Sequence, residues 1–222
     1  SMVSFGTGKY LETGDPSDTS EQTFYGIWDD EPAGDVNTAD RSELQMQEVL
    51  AVVNVSGIDY RITSNNTVDY TTQRGWYMDL PTTGERVAFN PIARDLRTVF
   101  VTLIPNISDP CSWGGTGWLM ELDYLTGSRL SVSPFDVNGD YAISDLDLVD
   151  FNSGDDDDQG PDQVPPSGAM LGIGIPTTPT VLTKDDDTEV KVISGTSGQI
   201  GTLIEGRSVS AGRLSWRQII GD

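Results

Sequence analysis

Turn signals recur about every eight to twelve residues along this chain, and the apolar runs between them are short. Chains cut this often hold strands rather than long helices, so the pattern argues an all-β fold, sandwich or propeller. Thr23-Phe-Tyr-Gly-Ile-Trp28, Ile58–Ile62, Gly75–Leu80 and Trp118–Leu122 read as strands. So do the stretch from Val3 to near Gly6 or Gly8, Ser128–Val132, Ala169–Ile175, Thr180–Thr183, Glu189–Ile193, Ile200–Ile204 and Gly212–Ile220. Thr98-Val-Phe-Val-Thr-Leu-Ile104 is almost wholly apolar and is expected to be buried on both faces. Asp40 and Glu43 have capping-box spacing, which suits a short helix or turn before a strand over Ala51–Val55. Gly6-Thr-Gly8 lacks the helix that a phosphate loop needs, and reads as a strand bend.

The composition narrows the function. Among 222 residues, 35 are acidic and 13 basic, for a net charge of −22. That balance argues against nucleic acid and anionic lipid as partners, since both need a basic face. There is no histidine, so His-based triads and imidazole metal sites are excluded. The one cysteine, Cys111, has no partner within the chain. No apolar run is long enough to span a membrane. Ser1-Met2 reads as an expression remnant, and residues 3–222 as a single all-β domain cut from a longer protein. Residues 152–168 carry Asp155–Asp158 and a Pro/Gly-rich run, and are expected to form an acidic, mobile loop.

One stretch carries chemistry: Asp136-Val-Asn-Gly-Asp140-Tyr-Ala-Ile-Ser-Asp-Leu-Asp147. Oxygen side chains fall at Asp136, Asn138, Asp140, Ser144 and Asp147, and Ala142 can add a backbone carbonyl. A tightly curled loop turns alternate residues inward, and calcium takes six to eight such oxygens. Ile143 can pin the loop to a core. Two positions depart from the EF-hand form: Tyr141 stands where a glycine makes the sharp turn, and Asp147 where a longer glutamate closes the site. Without a cation, the same residues make an acidic, Asx-rich turn. The four-Asp run lacks this spacing and reads as solvated loop.

Three stretches echo one another: Phe24–Asp29, Trp76–Leu80 and Trp118–Asp123 each start aromatic and end acidic or close to it. Their spacing is near that of propeller blades, about 40–50 residues. A chain of this length would carry three or four blades.

Further stretches carry a resemblance. Phe5-Gly-Thr-Gly-Lys-Tyr10, Thr23–Trp28, Arg74-Gly-Trp-Tyr-Met-Asp-Leu80, Asp109-Pro-Cys-Ser-Trp-Gly-Gly-Thr-Gly-Trp-Leu119, the Asp136–Asp147 loop and Gly212-Arg-Leu-Ser-Trp-Arg217 follow one another along nearly the whole chain. In these the chain resembles the C-terminal part of PilY-type proteins, the type IV pilus biogenesis and tip adhesins. The resemblance implies part of a modified β-propeller with several antiparallel blades and a calcium loop between strands. It also implies export to the pilus tip or cell surface, through the periplasm. The implied role is in pilus extension against retraction, twitching and surface attachment. The implied partners are pilins or minor pilins, and a host or abiotic surface. Asp136, Asn138, Asp140 and Ala142 match the family's calcium ligands. Ser144 stands where the family has a carboxylate, for which Asp145 or Asp147 can compensate.

Two other functions compete with a calcium-dependent pilus module. Propellers also host quinoprotein dehydrogenases, but no catalytic pair or nucleophile–base motif stands out here, and no catalytic residue is assigned. A carbohydrate- or protein-binding module with a purely structural calcium would use exposed tryptophans. Trp76 and Trp118 lie in strands and read as core, whereas Trp113 lies in a Gly-rich loop and reads as exposed.

Overall fold

The computed structural model describes residues 1–30, 39–106, 108, 113–151, 162–184 and 188–206. Cys111, the Asp155–Asp158 run and the expected strand over Gly212–Ile220 lie outside the described residues. The strands in chain order are β1 (Met2–Gly6), β2 (Thr23–Trp28), β3 (Gln45–Gln47), β4 (Val49–Val55), β5 (Ile58–Thr63) and β6 (Gly75–Asp79). Then come β7 (Ile92–Arg94), β8 (Arg97–Val101), β9 (Ile104–Pro105), β10 (Gly115–Thr116) and β11 (Leu119–Asp123). The rest are β12 (Val149–Asp150), β13 (Gln163–Val164), β14 (Gly168–Met170), β15 (Thr180–Thr183), β16 (Thr188–Ser194) and β17 (Ile200–Gly206). The described helical turns are short 3-10 pieces, so the fold is all-β as the punctuation predicts.

Among the described residues, the three larger sheets stack around two cores. A four-stranded sheet runs β1-β2-β6-β3, a six-stranded sheet β4-β5-β14-β11-β8-β7, and a three-stranded sheet β15-β16-β17. Pairing is antiparallel except between β3 and β6. The six-stranded sheet is the middle layer. Its β8 is buried along its whole length, and successive residues face opposite ways. Val99, Val101 and Leu119 join Phe135, Val149, Ile193 and Leu203 on one side. Phe100, Met120 and Leu122 meet Phe24, Trp76 and Met78 of the four-stranded sheet on the other. A period-two strand with both faces covered needs apolar residues throughout, which is why this run stood out in the sequence.

Trp76 shows how tightly that second core is fitted. It is fully buried, and a Cβ at Gly26 or Gly127 would run into its indole. Gly127 also has φ +68, in the left-handed region that glycine enters freely. Phe24 stacks on Phe100 with ring centres 3.8 Å apart. Trp118 lies beneath the Arg61 guanidinium at 4.1 Å, and Arg61 in turn pairs with buried Glu85 at 2.6 Å. Trp76 and Trp118 are therefore core, and Trp113 is 58% exposed.

Several expectations change in the structure. The echoing stretches are not matching strands of successive blades: β2 and β6 are neighbours in one sheet, and β11 lies in another. Ser128–Val132 is not a strand, because Ser128 O accepts the Asp123 N–H to close a turn and the Arg129 N–H goes to Ser64 O. The run Ala169–Ile175 stops being extended after Met170, where Gly172 and Gly174 take φ +68 and +83. In the expected acidic loop over 152–168, residues 152–161 lie outside the described residues. At its other end Val164 through Gly168 are buried, and β13 pairs with β12. Pro165 and Pro166 bring no N–H to satisfy, so they can be buried cheaply between β13 and β14. The Asp40–Glu43 turn forms as read: the Asp40 N–H donates to the Glu43 carboxylate at 2.9 Å, and a 3-10 turn spans Arg41–Glu43.

Candidate metal centre

The acidic loop hangs from β17. The Asp136 N–H donates to Ile204 O at 3.0 Å and the Gly206 N–H to Pro134 O at 3.2 Å. Between them Phe135 is fully buried, its ring 6.2 Å from that of Tyr60 on β5. Val137 packs into the same core. Ile143 lies over Gly206, where an added Cβ would sit 3.3 Å from it. Phe135 and Val137 thus pin the first limb to the core, whereas Ile143, expected to do the same for the second, is half-buried over Gly206 and is not part of that core.

The loop's carboxylates gather its own amides. Asp136 Oδ1 accepts the N–H of Gly139 at 2.7 Å and of Asp140 at 3.2 Å, and its Oδ2 that of Tyr141 at 2.9 Å. Asn138 Oδ1 accepts the Asp140 N–H, and Asp140 Oδ1 the Ala142 N–H, each at 2.8 Å. Asp147 is fully buried and closes the ring: Oδ1 accepts the Val137 and Asn138 N–H, and Oδ2 that of Ser144. Ser144 Oγ takes the Leu146 N–H and caps a 3-10 turn over Asp145–Asp147. Ser144 and Asp147 therefore have a bracing role that spacing alone did not reveal.

Tyr141 adopts φ +69, so the turn that usually requires glycine is made with a tyrosine. Its side chain is 66% exposed, with the Lys184 ammonium 5.6 Å from the ring centre. Beneath the loop, burial first, and then the charges of Asp136 and Asp147, push the Tyr60 hydroxyl up to about 12.

The donor set suits a hard cation. A carboxylate has about four lone-pair sites, so Asp136 and Asp140 keep acceptor capacity after their amide bonds, and Asn138 Oδ1 keeps one lone pair. Calcium takes oxygens of this kind from side chains and backbone carbonyls together. Among the described residues, no three His, Cys, Asp or Glu side chains converge closely enough to form a metal cage by themselves. Asn138 and a carbonyl such as that of Ala142 would have to complete the shell.

Comparison with known proteins places the chain. No family model matches it. It is 31% identical over 240 residues to the type IV pilus biogenesis factor PilY1 of Pseudomonas aeruginosa PAO1, a match covering 99% of this chain and 19% of that protein. The crystal structure of the P. aeruginosa PilY1 C-terminal domain superposes with a TM-score of 0.71 at 28% identity, over 93% of this chain and 41% of that one. The chain belongs to the PilY1 family. A PilY1 homologue of Xylella fastidiosa is 33% identical over 131 residues, covering 57% of this chain and 9% of the homologue. The chain thus spans about a fifth or less of the length of these PilY1 relatives. Among the described residues, no helix is long and apolar enough to cross a membrane.

Proposed function

We propose that this chain is a calcium-binding, non-enzymatic module of a type IV pilus assembly and adhesion protein. In this reading it is exported, meets pilins or minor pilins near the pilus tip, and serves pilus extension and surface attachment. One observation carries the proposal: a chain homologous to PilY1 holds an alternating oxygen loop whose backbone already makes the glycine-type turn at Tyr141.

Asp136, Asn138, Asp140 and the Ala142 carbonyl would hold the ion, with Ser144 and Asp147 completing or bracing the shell. Bound calcium would supply the positive charge that lets neighbouring carboxylates share one small volume. The chain's own residues do the rest. Asp147 ties the first limb of the loop to the last, and the Asp136 and Gly206 amide bonds pass any tightening of the loop to β17. Ion binding would then stiffen the three-stranded sheet, the local ordering that a calcium-controlled switch needs.

A second reading is a permanently filled structural site. The closure of the loop by its own amide–carboxylate bonds favours it, because a loop already held in shape gains little new order from the ion.

Calorimetric titration of EDTA-stripped protein, beside Asp140→Ala, separates these readings. Micromolar binding that Asp140→Ala abolishes, with a higher melting temperature for the filled protein, is the expected result. Millimolar binding would leave the structural reading. No heat and no change in melting temperature would reduce the loop to an Asx-rich turn.

A further inference from the structure

Asn138-Gly139 is the single Asn-Gly pair in the sequence, and both residues are exposed in the acidic loop. Such a pair can change its own covalent structure. The nitrogen of the second residue attacks the asparagine side-chain carbonyl, a cyclic succinimide closes, and ammonia leaves. Water then opens the ring. Glycine favours the attack, because it has no Cβ to crowd its nitrogen. Space is not limiting here: Gly139 has φ +79, and an added Cβ would meet nothing within 4 Å.

The loop surrounds the reacting atoms with the groups this chemistry needs. Asn138 Oδ1 accepts the Asp140 N–H at 2.8 Å. That Asx turn folds the side chain back over the next peptide and brings its carbonyl carbon towards the Gly139 nitrogen. The same Asp140 amide is placed to stabilise negative charge as it grows on Oδ1. Asp136 Oδ1 accepts the Gly139 N–H at 2.7 Å, so a carboxylate already stands at the proton that the nucleophile must lose. Asn138 Nδ2, the leaving nitrogen, donates to Asp140 Oδ2 at 3.1 Å.

We propose that Asn138 deamidates without an enzyme, with Asp136 as the base. The Gly139 nitrogen bonds to Asn138 Cγ as its proton passes to Asp136. The Cγ–Nδ2 bond then breaks, and the departing nitrogen takes that proton and leaves as ammonia. One water adds to the succinimide. Cleavage of the bond from Cγ to the Gly139 nitrogen gives aspartate, and cleavage of the backbone C–N bond gives isoaspartate.

The two products differ in effect. Aspartate keeps the backbone and puts a carboxylate where an amide oxygen stood. Isoaspartate routes the backbone through the former side chain and adds a methylene carbon to it. The alternating oxygens of Asp136, residue 138 and Asp140 then fall out of step, and the loop no longer offers a cation its ring of donors. This consequence rests on the calcium reading of the loop, whereas the deamidation does not.

The test is peptide mapping by mass spectrometry after the folded protein has stood for days in EDTA near neutral pH, with aspartyl and isoaspartyl products separated by chromatography. Both products are expected at residue 138. Asp136→Asn keeps an oxygen for the amide bonds but is a far weaker base, and should slow their formation about tenfold. The parent unfolded in guanidinium chloride, where Asp136 no longer reaches Gly139, should also react more slowly. Absence of both products would overturn the proposal. So would an unchanged rate in Asp136→Asn, or an equal or faster rate in the unfolded chain. Calcium titration of the aged protein should show sites lost in proportion to its isoaspartyl fraction, and undiminished binding would overturn that consequence. No binding even in fresh protein would sink the consequence together with the calcium reading, and the mapping would still decide the deamidation.

Discussion

Tyr141 is held at φ +69, a region that costs a non-glycine residue about 1–2 kcal/mol. Glycine there would relieve the strain, and would return about 0.5–1 kcal/mol through the greater freedom of the unfolded chain. Tyr141→Gly should therefore hold or slightly raise the melting temperature. Tyr141→Val puts a β-branched residue at positive φ and should destabilise by at least about 1 kcal/mol. Thermal unfolding of the two variants checks both. A tyrosine at this position made the sequence look a poor match to an EF-hand loop, yet the backbone makes the turn. Asp136, Asn138 and Asp140 were legible because alternation in a tight loop is a local rule. The duties of Asp147 were not. Its spacing was visible, but its burial and its three amide partners depend on how the loop seats on β17.

Among the short elements, the 3-10 turn over Asp15–Ser17 carries a pH dependence. Asp15 Oδ2 accepts the Leu11 N–H at 2.7 Å and the Glu12 N–H at 2.8 Å. The Glu12 amide first, then the Leu11 amide, hold its carboxyl below the ordinary 3.8, with Lys9 adding attraction. A depressed folded value means the stabilisation is complete above the unfolded value and fades as pH falls through the folded one. Acid unfolding followed below pH 3.8 should therefore be less steep in Asp15→Asn than in the parent. No strand or helix period marks this turn in the sequence. Its carboxylate makes a structure that no apolar period announces. Strands with a buried face were legible for the opposite reason: β8 and β11 print their packing in their order of residues. Ser128–Val132 and Ala169–Ile175 misled because alternation says a run can be extended, not that a neighbour is present to pair with it.

Across the whole molecule, the middle and three-stranded sheets are joined by a buried ionic cluster. Lys191 on β16 contacts Glu121 on β11 and Glu205 on β17, and lies 3.8 Å from Glu189. Arg97 pairs with Glu121 and lies 3.6 Å from Glu189, and Arg94 pairs with Glu189. All three glutamates and Lys191 are fully buried. Removing one partner from such a set leaves uncompensated buried charge, so Lys191→Met should destabilise by about 3–5 kcal/mol in urea unfolding. A loss below about 1 kcal/mol would mean that the cluster is not charged as drawn.

Nothing in the order of residues announced that cluster. Its members lie on β7, β8, β11, β16 and β17 and meet only when one sheet is laid on another. The all-β class, the two-faced burial of β8, the core positions of Trp76 and Trp118 and the alternating oxygens of the loop were readable in sequence. Each follows from side-chain period or spacing within a few neighbouring residues. Sheet order, the position of β2 beside β6, the bracing of the acidic loop against β17 and the buried charges depend on contacts between residues far apart in the chain. Local patterning specifies which face of a strand is apolar. It does not specify what will cover that face.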